Sequence, residues 1–227
     1  TTEAELLARR LRAMGFAAAA YHGKLDATQR EIVQEQFMDD QITTVVCTKA
    51  FGMGIDKPDI RFVVHYDLPG TLEAYYQEVG RAGRDGQPAR CLLFFRPEDR
   101  GIQAFFLGGN YPTQRRLEEI WDITRALALR KQSPTVTLRD LATAVSLDVS
   151  RLKALIDPLV QMGYLSLSGQ AVTVARAECS AQDLALDLSA YERRREYDQS
   201  KLRMMETYAQ TTGCRREFVL SYFGEQY

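Results

Sequence analysis

Gln77, Arg81 and Arg84 recur at spacings of four and three in Gln77-Glu78-Val79-Gly80-Arg81-Ala82-Gly83-Arg84-Asp85-Gly86, so on a helix and its last turn they point the same way. Arginine at such positions suits an anion, because its planar guanidinium donates two parallel hydrogen bonds to phosphoryl oxygens and keeps its charge. Gly80 and Gly83 remove side chains that would block a phosphate's approach. An arginine that reaches a γ-phosphate from a second domain can supply about 10³ to 10⁵ in rate. The alternative is a surface arginine pair in salt bridges with Asp85 or Glu78.

A second glycine-bearing segment, Thr48-Lys49-Ala50-Phe51-Gly52-Met53-Gly54-Ile55-Asp56-Lys57-Pro58, follows a β-branched run. An open α/β sheet places its ligands at that end of a strand, and glycines there expose backbone amides. What the sequence lacks is equally informative. It holds no Gly-x-x-x-x-Gly-Lys-Ser/Thr loop to cradle phosphates and no Asp-Glu pair after an apolar strand to hold magnesium. The chain carries half of a nucleotide machine.

The elements that must position these residues alternate. Thr2 to Met14 sets Leu6, Leu7, Leu11 and Met14 on one helical face and stops at Gly15. Ala17 to Tyr21 follows as a strand, and Asp26 with Gln29 forms a capping box for a helix that buries Ile32, Val33 and Phe37. Thr43 to Cys47, Phe62 to His65 and Cys91 to Phe95 are runs of the kind a parallel sheet buries on both faces, with a helix from Thr71 to Val79 between the last two. These βαβ units predict an α/β fold with an open parallel sheet, incomplete at its start. Opening on a helix leaves that helix without a preceding strand, so the domain is expected to begin upstream of Thr1.

The 227 residues are 45% hydrophobic with a net charge of -1, enough for ordinary globular cores and without a global basic field for nucleic acid. Cys47, Cys91, Cys179 and Cys214 are scattered without a C-x-x-C pair, which favours reduced thiols. No apolar run of about eighteen residues and no signal peptide is visible. The expected location is the cytoplasm, with no membrane partner.

The two phosphate-facing segments, together with Tyr21-His22-Gly23-Lys24-Leu25, Phe62-Val63-Val64-His65-Tyr66-Asp67 and Tyr75-Tyr76-Gln77-Glu78, resemble the fifth and sixth motifs and neighbouring signatures of superfamily 2 helicases. The wording is similar to that of the RecQ family of ATP-dependent DNA helicases, nearly unbroken from Ala17 to Phe95. The resemblance implies a RecA-like domain in which Arg84 is the arginine finger, Arg81 its companion and Gln77 the γ-phosphate sensor. It implies that Asp56 contacts the nucleotide ribose and that Gly54 brings the backbone close to the same cleft, with Gly80 beside it. Thr48 and Lys49 fall where the family grips DNA phosphates, and His22 lies near the DNA strand. A strand-end histidine with a satisfied hydrogen bond is the other reading of His22; core packing is the reading of His65.

Downstream, Gly108-Gly109-Asn110-Tyr111-Pro112 marks a linker. Helices Gln114 to Arg130, Leu138 to Val145 and Val149 to Met162, then a hairpin of Tyr164 to Leu167 and Ala171 to Ala175, resemble a winged helix. Such a unit contacts duplex DNA through its third helix, with Arg151 and Lys153 near the start. Against that, Pro158 should kink the helix at about 3 kcal/mol, and Asp148 and Asp157 offset its charge; packing or spacing is the equal alternative for this unit. Arg193, Arg194, Arg195, Lys201, Arg215 and Arg216 are the other basic candidates on a long charged helix, Ser189 to Gln210, and its successor. The stretch from Glu196 to Glu225 resembles the helical hairpin of the RecQ zinc-binding subdomain, where Cys214 matches the first of four ligands. One thiolate makes no tetrahedral site, so no zinc is expected on this chain by itself.

The expected domains are residues 1–107, a second RecA-like helicase domain; 108–180, a winged-helix-like insertion; and 181–227, part of the zinc-binding subdomain. The expected function is a share in a 3′ to 5′ DNA helicase that uses ATP and Mg2+, with zinc in the complete protein. Its partners are DNA and an N-terminal RecA-like domain, and this chain by itself is expected to hydrolyse no ATP. The rival is a non-catalytic nucleic-acid-binding or interaction module built on a helicase-like domain.

Overall fold

The computed structural model describes residues 2–48, 50–51, 55–98, 101 and 111–226. The chain divides into two compact units, residues 1–65 with 73–92 and residues 66–72 with 93–227.

The first hundred residues fold as α1 (Thr2–Ala13), β1 (Ala18–Tyr21), α2 (Ala27–Met38), β2 (Thr44–Cys47), β3 (Phe62–His65), α3 (Leu72–Val79) and β4 (Arg90–Leu93). β1 and β2 are parallel, with Ala18 opposite Thr44 and Tyr21 opposite Cys47. The fold class is α/β, as expected. Asp26 caps α2 with the full capping box: its carboxylate accepts the Gln29 amide at 2.7 Å while the Gln29 side chain accepts the Asp26 amide at 3.3 Å.

Three packing expectations are corrected. On α1 the face turned inward is Ala4 and Ala8 with Leu7 and Leu11 half-buried beside them, whereas Leu6 is 44% and Met14 72% exposed. Alanines four apart let this helix lie close against β1 and β2, themselves built of small and β-branched residues. On α2, Phe37 is buried but Ile32 is exposed and Val33 half-buried. β3 and β4 pair in a sheet separate from β1 and β2, and Phe62, Val64 and Leu92 remain exposed. Among the described residues each of these strands has one hydrogen-bonded neighbour, and β3 alternates between exposed Phe62 and Val64 and more buried Val63 and His65, so this run has one face open.

In the second unit lie α4 (Gln114–Arg130), β5 (Thr135–Thr137), α5 (Leu138–Ala144), α6 (Val149–Gln161), β6 (Leu165–Ser168), β7 (Ala171–Val174), a 3₁₀ turn (Ala181–Asp183), α7 (Ser189–Gln210) and α8 (Arg215–Tyr222). Thr113, Thr137 and Asp148 cap α4, α5 and α6, each accepting the amide three residues on. The sheet is antiparallel in the order β5-β7-β6, so the hairpin has a third strand that the sequence reading missed. Val136 of β5 sits opposite Val172 and is 1% exposed, which explains why three residues suffice. Trp121, fully buried, meets Tyr164 edge to face at 5.9 Å and donates from its indole to the Cys179 carbonyl at 3.3 Å.

Pro158 does not end α6. The helix runs on one more turn, closed by Met162 donating to the Pro158 carbonyl at 3.1 Å and by Gly163 at φ 70. Proline near a C-terminus interrupts little of the ladder, and Pro158 itself is buried. α7 buries only a narrow stripe, Leu202, Met205 and Tyr208, and Tyr208 packs against Phe218 of α8 at 5.6 Å. Its start is fastened by the Tyr191 hydroxyl, which donates to Asp157 of α6 at 2.8 Å. Among the described residues no helix is long and apolar enough to cross a membrane.

Candidate functional site

The segment entering β3 is pinned from below by a buried lysine. α2 ends with Asp40 in the left-handed region at φ 60, a conformation aspartate tolerates better than most residues. Its carboxylate meets the Lys57 ammonium at 2.8 Å, Asp59 meets it at 3.0 Å, and the Phe37 ring lies beneath it at 5.7 Å. The Lys57 side chain is only 9% exposed. The bond to Asp40 raises its pKa above the usual lysine range against the opposing effect of burial, and the same ammonium holds Asp59 below the usual carboxylate range.

α3 carries the second motif in. The Gly80, Arg81 and Ala82 amides bond to the Tyr76, Glu78 and Val79 carbonyls at 3.0, 3.3 and 3.1 Å, which winds the chain on past the helix end. Gly83 then reverses it at φ +67. Two backbone bonds sew the turn to the first motif: the Gly83 amide to the Ile60 carbonyl at 3.0 Å and the Asp85 amide to the Pro58 carbonyl at 3.1 Å. A Cβ at Gly83 would stand 2.9 Å from the Gln87 carbonyl oxygen and 3.2 Å from Ala89 Cβ. Glycine at 83 is therefore required by the turn itself, a reason independent of any phosphate.

The arginines find partners other than those expected. Arg84 pairs with Asp56 across 28 residues of sequence and reaches back to the Gly80 carbonyl at 3.4 Å. Asp85 is taken by Arg61, and Glu78 by the His65 Nε2 at 2.6 Å. The Arg84 side chain is 40% exposed and Asp56 84%, so this ion pair faces solvent and contributes about 0.2–1 kcal/mol. Arg81 is half-buried, and its Nε has no hydrogen-bond partner among the described residues. One arginine is thus paired and the other is partly enclosed with a donor unsatisfied. Gln77 is exposed on the last turn of α3, and Gly80 is exposed beside it.

His22 and Thr48 follow the ends of paired strands and come side by side, the Thr48 amide bonding to the Tyr21 carbonyl at 3.1 Å. The His22 ring is 1% exposed, its Nε2 bonded to Glu5 at 2.9 Å and its Nδ1 unpartnered. His65 is buried against Tyr75 at 5.0 Å. Lys49 and Gly54 lie outside the described residues. In the second unit, Arg151 and Lys153 occupy the first turn and a half of α6; the Arg151 amide bonds to the Asp148 cap at 2.9 Å, and Lys153 is exposed. Cys214 stands exposed at the start of α8, and among the described residues no three of His, Cys, Asp and Glu cluster as metal ligands. The donors described do not by themselves fit a tetrahedral zinc.

Sequence reasoning missed Lys57 and Arg61. Both precede an apolar strand within Asp56-Lys57-Pro58-Asp59-Ile60-Arg61, and a run of alternating charges entering a strand is the signal that could have marked them.

A family model described as the helicase conserved C-terminal domain matches residues 1–86, and one described as RecQ zinc-binding matches residues 148–227. The chain belongs to the RecQ helicase family. Among relatives of this RecQ-family region, the probable ATP-dependent DNA helicase RecS of Bacillus subtilis (strain 168) is 34% identical over 208 residues, 91% of this chain and 38% of that protein. The ATP-dependent DNA helicase RecQ of Pasteurella multocida (strain Pm70) is 53% identical over 120 residues, 52% of this chain and 19% of that one. The ATP-dependent helicase wrn-1 of Caenorhabditis elegans is 47% identical over 119 residues, 52% of this chain and 11% of that one. The chain spans no more than 38% of the length of these relatives.

Proposed function

We propose that this region is the second motor half of an ATP-dependent 3′ to 5′ DNA helicase. It closes on an N-terminal RecA-like domain that holds most of the ATP and Mg2+. The observation that carries the reading is the seam between the two motifs, which sets Arg84 against Asp56 on the same turn as the unsatisfied Nε of Arg81. An exposed ion pair is exchanged for a phosphate at small cost, and a partly enclosed guanidinium with a spare donor favours an anion.

In this reading Arg84 donates to the γ-phosphoryl oxygens, Arg81 donates beside it and Gln77 senses the same group. Asp56, released from Arg84, accepts from the ribose hydroxyls, with Gly54 and Gly80 lending backbone close to the nucleotide. Thr48, Lys49 and His22 serve the single strand, and Arg151 and Lys153 of a winged-helix-like unit serve the duplex. Zinc belongs to the complete subdomain, with Cys214 as one ligand. The protein works in the cytoplasm, and this chain by itself turns over no ATP. The names of the relatives and the two matching family models support the motor assignment.

The test is R84A in the complete polypeptide. DNA-stimulated ATP turnover should fall by about 10³ or more, while stability changes by less than about 1 kcal/mol because the pair lost is exposed. Turnover within about twofold of the parent, a difference of about 0.4 kcal/mol in barrier, refutes the finger role.

A further inference from the structure

Arg61 makes three polar contacts through a single guanidinium. Its Nε donates to the Asp59 carbonyl at 2.9 Å, one terminal nitrogen donates to the Pro88 carbonyl at 3.3 Å and the other meets the Asp85 carboxylate. Its own carbonyl accepts the Arg90 amide at 2.9 Å where β4 begins. One planar fork therefore touches the chain before the turn (Asp59), at its crest (Asp85) and on its exit (Pro88). Asp85 is doubly committed, since its other carboxylate oxygen accepts the Gln87 amide at 3.0 Å. The Arg61 bond draws the Asp85 carboxyl below the usual carboxylate range.

The geometry of this fork constrains Arg84 without touching it. Arg84 immediately precedes Asp85, and its backbone is bracketed by the Gly83 bond to Ile60 and the Asp85 bond to Pro58. Those two bonds fix where residue 84 stands; the Arg61 fork keeps the surrounding loop closed so that they persist. Lysine cannot replace it fully, because one ammonium cannot present two parallel donors to Asp85 and Pro88 while a third reaches Asp59.

We infer that Arg61 is the positioning residue for the nucleotide-facing turn, holding Arg84 at the height from which it reaches a phosphoryl oxygen. The inference rests on the finger role proposed for Arg84. It assigns Arg61 to the turnover step rather than to nucleotide affinity, because a displaced Arg84 weakens a contact made in the transition state while the ground-state nucleotide is held elsewhere.

The experiment compares R61A, R61K, R84A and R61A/R84A in the complete polypeptide, by DNA-stimulated ATPase kinetics and by amide exchange over residues 80–90. R61A should lower kcat by roughly 10- to 100-fold with KM for ATP little changed, as expected for a misplaced catalytic group. Exchange at positions 83 and 85 should quicken, and R61K should recover part of both effects. R61A/R84A should be no more than about twofold worse than R84A, since Arg61 acts through Arg84. Four results overturn the inference: kcat of R61A within about twofold of the parent, an effect confined to KM, full additivity with R84A, or unchanged exchange at 83 and 85. Normal turnover in R84A defeats the finger role itself. A crippled R84A beside an unimpaired R61A defeats only the assignment of Arg61.

Discussion

Replacing each glycine of the arginine-bearing turn by alanine separates two explanations for why glycines stand there. If they clear a path for phosphate, Gly80 and Gly83 should be alike, and both variants should keep their structure while losing activity. The structure makes them different. Gly83 lies at φ +67, where an alanine costs about 1–2 kcal/mol, and its Cβ would stand 2.9 Å from the Gln87 carbonyl oxygen. That oxygen is backbone and cannot swing aside, so the turn must open. The reduced freedom of the unfolded chain returns about 0.4–1 kcal/mol, leaving a net loss of about 2 kcal/mol once the forced shift is included. Gly86, at φ +79 with nothing within 4 Å of a new Cβ, carries the conformational cost alone, a net of about 1 kcal/mol or less. At Gly80 the backbone is not left-handed and the nearest atom is the Tyr76 carbonyl oxygen at 3.1 Å, so the small displacement is offset by the better helix propensity of alanine, up to about 1 kcal/mol. Amide exchange at positions 83 and 85 reads this directly, because those amides close the turn onto Ile60 and Pro58. G83A should speed their exchange about 30-fold, G86A about fivefold or less, and G80A little, at about 1.4 kcal/mol per tenfold. Equal effects in G83A and G86A, or less than about threefold in G83A, would refute the steric argument.

Three further outcomes follow from the same geometry. K57A should destabilise the first unit by about 1–3 kcal/mol, read by denaturant unfolding, because a cation with an only 9% exposed side chain is lost from Asp40 and Asp59; K57M, which keeps the stem over Phe37, should cost less. W121A should cost the second unit about 3–5 kcal/mol, since the ring is fully buried against Tyr164; denaturant unfolding followed by circular dichroism reads this, because the variant removes the chain's one tryptophan. The Arg61 bond lowers the folded pKa of Asp85 beneath the ordinary 3.8, so the contribution of this pair is fully present above that value and is lost as pH falls through the folded pKa. Exchange at position 85, corrected for intrinsic rates, should show no loss of this clamp between pH 8 and about 5, well above an ordinary carboxylate pKa; a loss centred near neutrality would contradict the pairing.

Much of the local structure was legible because its causes are local. Asp26 and Gln29, Thr137 and Asp140, and Asp148 and Arg151 are each three residues apart, so a cap is written within one turn of chain. α7 runs from Ser189 to Gln210 as the charge pattern predicts. β5 escaped notice because three residues acquire strand character only when Val172 and Thr173 come to lie opposite Val136 and Thr135. On α1 the predicted face held in part: Leu7 and Leu11 are half-buried, but packing against the small residues of β1 selected Ala4 and Ala8 as the buried residues and left Leu6 and Met14 exposed.

For the site, the chain itself determined which chemistry is present: arginines spaced to act together, glycines where the backbone must turn, and the motifs of a helicase family. It could not determine which charge meets which. Arg84 with Asp56, Arg61 with Asp85 and Lys57 with Asp40 join residues 28, 24 and 17 positions apart, and nearer acids such as Glu78 go to other partners. Such pairings depend on how two turns are sewn together through Gly83 and Ile60, Asp85 and Pro58. Motif spacing is a property of sequence, whereas the partner of an exposed charge is decided by distances of a few ångströms that exist only once the chain has folded.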